Sequence, residues 1–202
     1  MTAWGIVVAA GRGERFGGPK HTRTVAGLPL WVRARDCLLA AGVEGVVVVG
    51  DVPGGVSGGR RRRDSVRCGL DVLPAGAALV LVHDAARPLA DPGLATRVLE
   101  RVAAGDVDGV VPIVPVADTV KRVAAGRVVE TVDRSDLGAA QTPQGFVVAS
   151  LRSAHDAGDD DASDDAVLVE RWGGTIATVP GDPANIKITH LGDLAVAEAL
   201  LS

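Results

Sequence analysis

Four runs of consecutive apolar residues constrain this chain more than anything else in it: IVVAA at 6–10, VEGVVVVG at 43–50, ALVLVHD at 78–84 and GVVPIVPV at 109–116. None alternates apolar with polar. A strand buried on one face alternates, whereas one covered on both faces does not, so these runs predict a parallel sheet sandwiched between helices. The segments between them fit that expectation. From about Pro29 to Ala41, Trp31, Ala34, Leu38 and Ala41 recur at helical spacing. A second helix is expected around Ser65 to Leu73, and a third after Asp91, an N-cap followed by Pro92 at the first helical position and ending near Ala104. The order βαβαβαβ predicts an α/β, Rossmann-like sheet with helices on both faces.

Residues 117–134 break the rhythm. ADTVKRVAAGRVVETVDR holds two extended runs of mixed polarity around Ala-Ala-Gly, which predicts a protruding β-hairpin arm. A lone two-stranded ribbon is marginal and gains stability against a partner, so the single domain spanning 1–202 is expected to form a homodimer through this arm. The acidic DDDASDDAVLVERWGG reads as a helix start, with Ser163 as N-cap, Asp164 and Asp165 at the positive end of the dipole and Gly173 as terminator. Carboxylates consecutive on a helix start point different ways, which argues against a metal cage there.

Composition narrows the function. The chain has 202 residues, 47 % of them apolar, with a net charge of −4, no Tyr, two Phe and three Trp. It therefore lacks both the general basic surface and the stacking aromatics that nucleic-acid binding requires. No apolar run approaches the ~20 residues that span a bilayer. The N-terminus lacks a basic leader, and Cys37 and Cys68 stand far apart in apolar segments, as expected of reduced thiols in a cytoplasmic protein.

The strand ends carry the chemistry. AAGRGERFGGPKH at 9–21 follows the first strand with Arg12, Arg15 and Lys20 among its glycines. It matches neither the G-x-G-x-x-G dinucleotide fingerprint, since Phe16 takes the third glycine's place, nor the P-loop, since Pro19 intrudes. Gly11 and Gly13 can still bring backbone N–H groups close to an anion. The second strand's loop runs into GGRRRRDSV, the third ends in HDAARP with Asp84 and Arg87, and PANIKIT holds Lys187 in a short extended run. Ligands of open α/β sheets bind at these carboxyl ends.

In this order, AAGRGERFGGPK, GGRRRRDSV, VHDAARP, DTVKRV, TVDRSDLGAAQTPQGF, DDAVLVE and NIKIT resemble the 2-C-methyl-D-erythritol 4-phosphate cytidylyltransferases over nearly the whole chain. The resemblance implies a nucleotidyltransferase fold with a dimerising arm. It further implies an enzyme that joins CTP to a polyol phosphate with Mg²⁺, releasing pyrophosphate, on the non-mevalonate route to isoprenoid precursors. By the same resemblance Ala9, Ala10, Gly11 and Gly13 would wrap the CTP phosphates and touch the base. Gly59, Arg62 and Ser65 would complete the CTP site, and Arg15, Lys20 and Lys187 would be catalytic. Asp84 would serve metal and acceptor, with Arg87 a further acceptor contact and Thr131 reaching the partner's acceptor phosphate. The family's usual acceptor arginine after TPQ-x-F is absent, with Val147 and Val148 in that region, which leaves Arg152 as its candidate replacement. HTRT after Lys20 and Arg60 beside the base position are further departures. Two alternatives stay open: another acceptor such as ribitol 5-phosphate, and an inactive nucleotide-binding homologue.

Overall fold

The computed structural model describes residues 1–11, 13, 18 and 23–201. Its strands are β1 (Ala3–Val8), β2 (Thr24–Val25), β3 (Leu28–Pro29), β4 (Val46–Val49), β5 (Leu79–Asp84), β6 (Gly109–Pro115), β7 (Val120–Ala124), β8 (Arg127–Val132), β9 (Gly138–Ala140), β10 (Gln144–Val147) and β11 (Ile176–Pro180). The helices are α1 (Leu30–Ala40), α2 (Arg62–Asp71), α3 (Pro92–Ala103), α4 (Val148–Asp156), α5 (Asp165–Trp172) and α6 (Gly192–Ala199).

The central sheet has the order β11-β6-β10-β5-β1-β4, with β9 pairing the outer part of β6. As the continuous apolar runs predict, β4, β1 and β5 are parallel and covered on both faces. Val7 and Leu81 pack with Ala34 and Leu38 of α1 and Val98 of α3 on one side. Ile6, Val80 and Val82 pack with Leu70 of α2, Leu151 of α4 and Val169 of α5 on the other. Successive residues of one strand thus feed two separate cores.

The simple βαβ progression fails at one place. β6 is not adjacent to β5; the short strand β10 lies between them, antiparallel to both. β10 is QGFV, a stretch whose single large apolar residue, Phe146, is fully buried in the second core. Four residues with two glycine or glutamine positions give too little periodicity to read as a strand.

Capping follows local chemistry. The Asp91 side chain accepts from the Gly93 N–H at 2.7 Å at the start of α3. α5 is capped one residue later than expected. Asp164, not Ser163, is the N-cap, accepting from Val167 N–H at 3.2 Å while its other oxygen accepts from Gln144 Nε2 at 2.7 Å. Gly173, with φ 96°, terminates the helix. The expected hairpin is present as β7 and β8, turning at Ala125 and Gly126, both with positive φ. Val123, Val128 and Val129 are exposed on it. Cys37 is buried and Cys68 half-buried, neither in a disulfide. Among the described residues no helix is long and apolar enough to cross a membrane.

Candidate active site

A cleft of about 220 Å³ opens at the carboxyl ends of β4, β1 and β5, where the topology rule places ligands. The segment after β1 supplies Ala9, Ala10 and Gly11, the loop into α2 supplies Gly59 to Arg61, the first turn of α2 supplies Arg62 and Ser65, β5 ends in Asp84, and the 187 loop closes one side. That loop has no strand pairing; it is fixed by the Ile188 N–H donating to the Ala86 carbonyl at 2.8 Å.

The two glycine-bearing walls touch. A Cβ at Gly58 would lie 2.3 Å from the Ala10 Cβ, so only glycine lets the α2 loop approach the β1 loop this closely. Next to it the Gly59 N–H donates to Ser65 Oγ at 3.1 Å, and that hydroxyl donates to the Arg61 carbonyl at 3.2 Å. Gly13 has φ 64°, and its carbonyl accepts from the Gly18 N–H at 3.1 Å. Arg15 and Lys20 lie outside the described residues.

The four consecutive arginines part company. Arg61 binds Asp64 and Asp159. Arg63 is buried, and its guanidinium donates to the carbonyls of His155, Gly158 and Asp160 at 3.0, 2.6 and 2.7 Å. Arg62 bridges two carboxylates, Nε to Asp84 Oδ1 at 3.1 Å and Nη1 to Asp165 Oδ2 at 2.6 Å. Arg60 remains on the cleft wall. The acidic stretch is therefore largely the counter-charge of the basic one. Among the described residues, no three His, Cys, Asp or Glu side chains converge as a metal cage.

Asp84 is the focus of the cleft. Its Oδ2 accepts from Lys187 Nζ at 2.6 Å, its Oδ1 from Arg62, and its backbone N–H donates to Thr142 Oγ1 at 3.1 Å. Burial alone would raise the pKa of this carboxyl, but the charges of Arg62 and Lys187 and their hydrogen bonds outweigh it and hold it far below the usual carboxylate range. Behind it His83 is fully buried with Nδ1 2.8 Å from the same Thr142 hydroxyl. Burial, only partly opposed by Asp84, lowers its pKa to about 4 and keeps it neutral.

Two acceptor-site expectations change. Arg152 is on α4, but its Nη2 donates to the Leu70 carbonyl at 2.5 Å, at the end of α2 opposite the cleft. It ties two helices together and does not face the cleft of its own chain. The Arg87 guanidinium donates to the carbonyls of Asn185 (2.7 Å) and Ala140 (3.2 Å), bracing the 185 loop against β9 rather than lining the cleft. Thr131 is on β8, outside that cleft, and accepts from Lys121 Nζ at 2.6 Å. Val148 is buried in the second core.

Sequence reasoning missed Thr142 and Asp165. Asp165 shares a helix face with the buried Leu168 and Val169, at the i+3 and i+4 positions. A carboxylate at the head of an apolar stripe is the signal that marks it as internal.

A family model described as IspD, 2-C-methyl-D-erythritol 4-phosphate cytidylyltransferase, matches residues 4–202. The enzyme of that name from Saccharopolyspora erythraea is 46 % identical, with both chains covered over their whole length. A bifunctional enzyme IspD/IspF from Solidesulfovibrio magneticus is 44 % identical over 98 % of this chain, which spans only 57 % of that protein's length. The crystal structure of 2-C-methyl-D-erythritol 4-phosphate cytidylyltransferase from Thermus thermophilus superposes with a TM-score of 0.84 at 38 % identity, covering 99 % of this chain and 98 % of that one. With the family model matching residues 4–202 and the fold agreeing along the chain's length, this chain belongs to the 2-C-methyl-D-erythritol 4-phosphate cytidylyltransferase family.

Proposed function

We propose that this chain transfers CMP from CTP to 2-C-methyl-D-erythritol 4-phosphate. An oxygen of the acceptor phosphate attacks the α-phosphorus of CTP, forming the new P–O bond as the bond to pyrophosphate breaks. A phosphate monoester is already nucleophilic, so the reaction needs positioning and charge stabilisation rather than a general base. The observation that carries the reading is the ionised Asp84 clamped between Arg62 and Lys187 at the mouth of a parallel sheet. Backbone N–H groups of Ala10 and Gly11 line the cleft for the nucleotide, Ser65 shapes the wall beside them through its bonds to Gly59 and Arg61, and Lys187 is at hand for the phosphate that attacks. Arg15 and Lys20 are assigned the charge that builds on the triphosphate.

Mg²⁺ usually takes one or two carboxylates and completes its shell with water and substrate phosphates. One ionised carboxylate with free lone pairs, Asp84, fits that mode. When bound, the ion would neutralise phosphate charge. The chain's own part is to keep Asp84 ionised and fixed.

The exposed valines of the arm support a homodimer in which Thr131 serves the partner's acceptor site. Pyrophosphate release from CTP, Mg²⁺ and methylerythritol phosphate, with ribitol 5-phosphate assayed beside it, tests the proposal. Turnover with the first acceptor is expected. Turnover with ribitol 5-phosphate alone would reassign the acceptor, and CTP binding without any turnover would make the chain an inactive homologue.

A further inference from the structure

Arg62 is the only one of the four arginines that reaches into the cleft while anchored from behind by a fully buried carboxylate. Asp165 is 0 % exposed, at the first turn of α5, on the far side of Arg62 from Asp84. Its Oδ2 accepts from Arg62 Nη1 at 2.6 Å, and its Oδ1 faces His155 Nε2 at 3.7 Å. Burial would favour the neutral acid, but Arg62 and His155 reverse this and hold Asp165 below the ordinary carboxylate range. Arg62 Nη2 is itself buried, with no hydrogen-bond partner among the described residues. Two of the three guanidinium nitrogens, Nη1 and Nη2, are thus enclosed away from the cleft, and Nε is the one left for Asp84.

An ion pair this deep costs desolvation on both sides, so its net contribution to stability is small or unfavourable. A leucine-like pair would fill the same space. What the charged pair adds is orientation, since a planar guanidinium held at one edge by a carboxylate has a fixed direction at the other. It also sets the balance of charge. Arg62 and Lys187 together offset Asp84 and Asp165, so a cleft built to receive a polyanion does not let Arg62 swing out to meet it.

We infer that Asp165 is a positioning residue for the transfer reaction. It acts through Arg62 to hold Asp84 in one orientation and to keep Arg62 off the nucleotide phosphates. The inference rests on the transfer activity proposed above, and His155 and the α4–α5 junction become the support of that device.

Asp165→Asn keeps the shape and removes the charge. The expected result is a folded protein whose kcat falls about 10- to 100-fold, the scale of a small misplacement at a reacting centre. Its KM for CTP should stay within about threefold of wild type or fall, because the freed Arg62 can reach phosphate. In an Arg62→Ala background the same change should cost nothing further, since its route is gone. Multiplying losses in the double variant, an unchanged kcat, or a KM for CTP raised in step with the fall in kcat would each overturn the inference. Should Asp165→Asn not fold, Arg62→Lys supplies the test, as lysine cannot bridge both carboxylates; full activity in that variant is fatal to the idea. A readout without turnover separates this inference from the reaction itself. In ¹⁵N-edited spectra the Arg62 Nε–H signal, assigned by its loss in Arg62→Lys, should be sharp and slow to exchange in wild type and broadened in Asp165→Asn. An identical signal in both proteins would refute the clamp even if the enzyme proved to act on another acceptor.

Discussion

Lys187 and His83 show how differently two residues around one carboxylate can matter. Lys187 is partly exposed and touches Asp84 from the solvent side. Replacing it by alanine should leave the fold intact and lower kcat for pyrophosphate release by about 10²–10³-fold, the range found when one preorganised charge-stabilising group is lost. His83 sits behind Asp84 and matters to stability through its proton. Unfolded, it takes up a proton below its ordinary pKa of 6.5, whereas folded it does so only near 4. Its contribution is therefore complete above pH 6.5 and is lost as pH falls toward 4, by about 3 kcal/mol in all. Asp84 and Asp165, held low in the folded state, add to the loss below their unfolded value of 3.8. Urea midpoints measured between pH 7 and pH 4 should decline, and His83→Gln should flatten the slope above pH 4.5.

At the scale of elements, the contact between the β1 loop and the α2 loop is the sharpest constraint. Gly58→Ala must push Ala10 or its own backbone aside. We expect a loss of about 1–3 kcal/mol in urea unfolding, as for other overpacked sites, together with weaker CTP binding by calorimetry. Helices α1, α2, α3 and α5 and the strands β1, β4, β5 and β6 were legible in the sequence because periodicity and capping are local: α3 begins where Asp91 and Pro92 say it should. β10 was not, because its strand state comes from the slot between β5 and β6 and not from its own residues. The cleft divides the same way. Asp84, Lys187 and Ser65 stood out in strand-end loops, while Thr142 and Asp165 acquire their roles only from neighbours some 60 and 100 residues away, such as Asp84 and Arg62.

For the whole molecule, the arm poses the main question. β7 and β8 pair with each other and form a sheet of their own, and Val123, Val128 and Val129 lie open on it. The proposed homodimer predicts that Val128→Asp with Val129→Asp gives a monomer in light scattering, keeps CTP affinity and abolishes most acceptor-dependent turnover. A dimer unaffected by both charges would remove the arm from the interface.

The reciprocity between the arginine run and the acidic stretch reaches beyond this one molecule. Arg61, Arg62, Arg63 and Arg67 find their partners at Asp159, Asp165, the 155–160 carbonyls and Asp156, all about 90 to 100 positions further along the chain. These two blocks are inherited usefully only as a set. In gene shuffling between relatives, crossovers that fall between them would pair one parent's cations with the other parent's loop, and should be depleted among functional recombinants. Crossovers lying wholly before residue 60 or after residue 172 would leave the set unbroken.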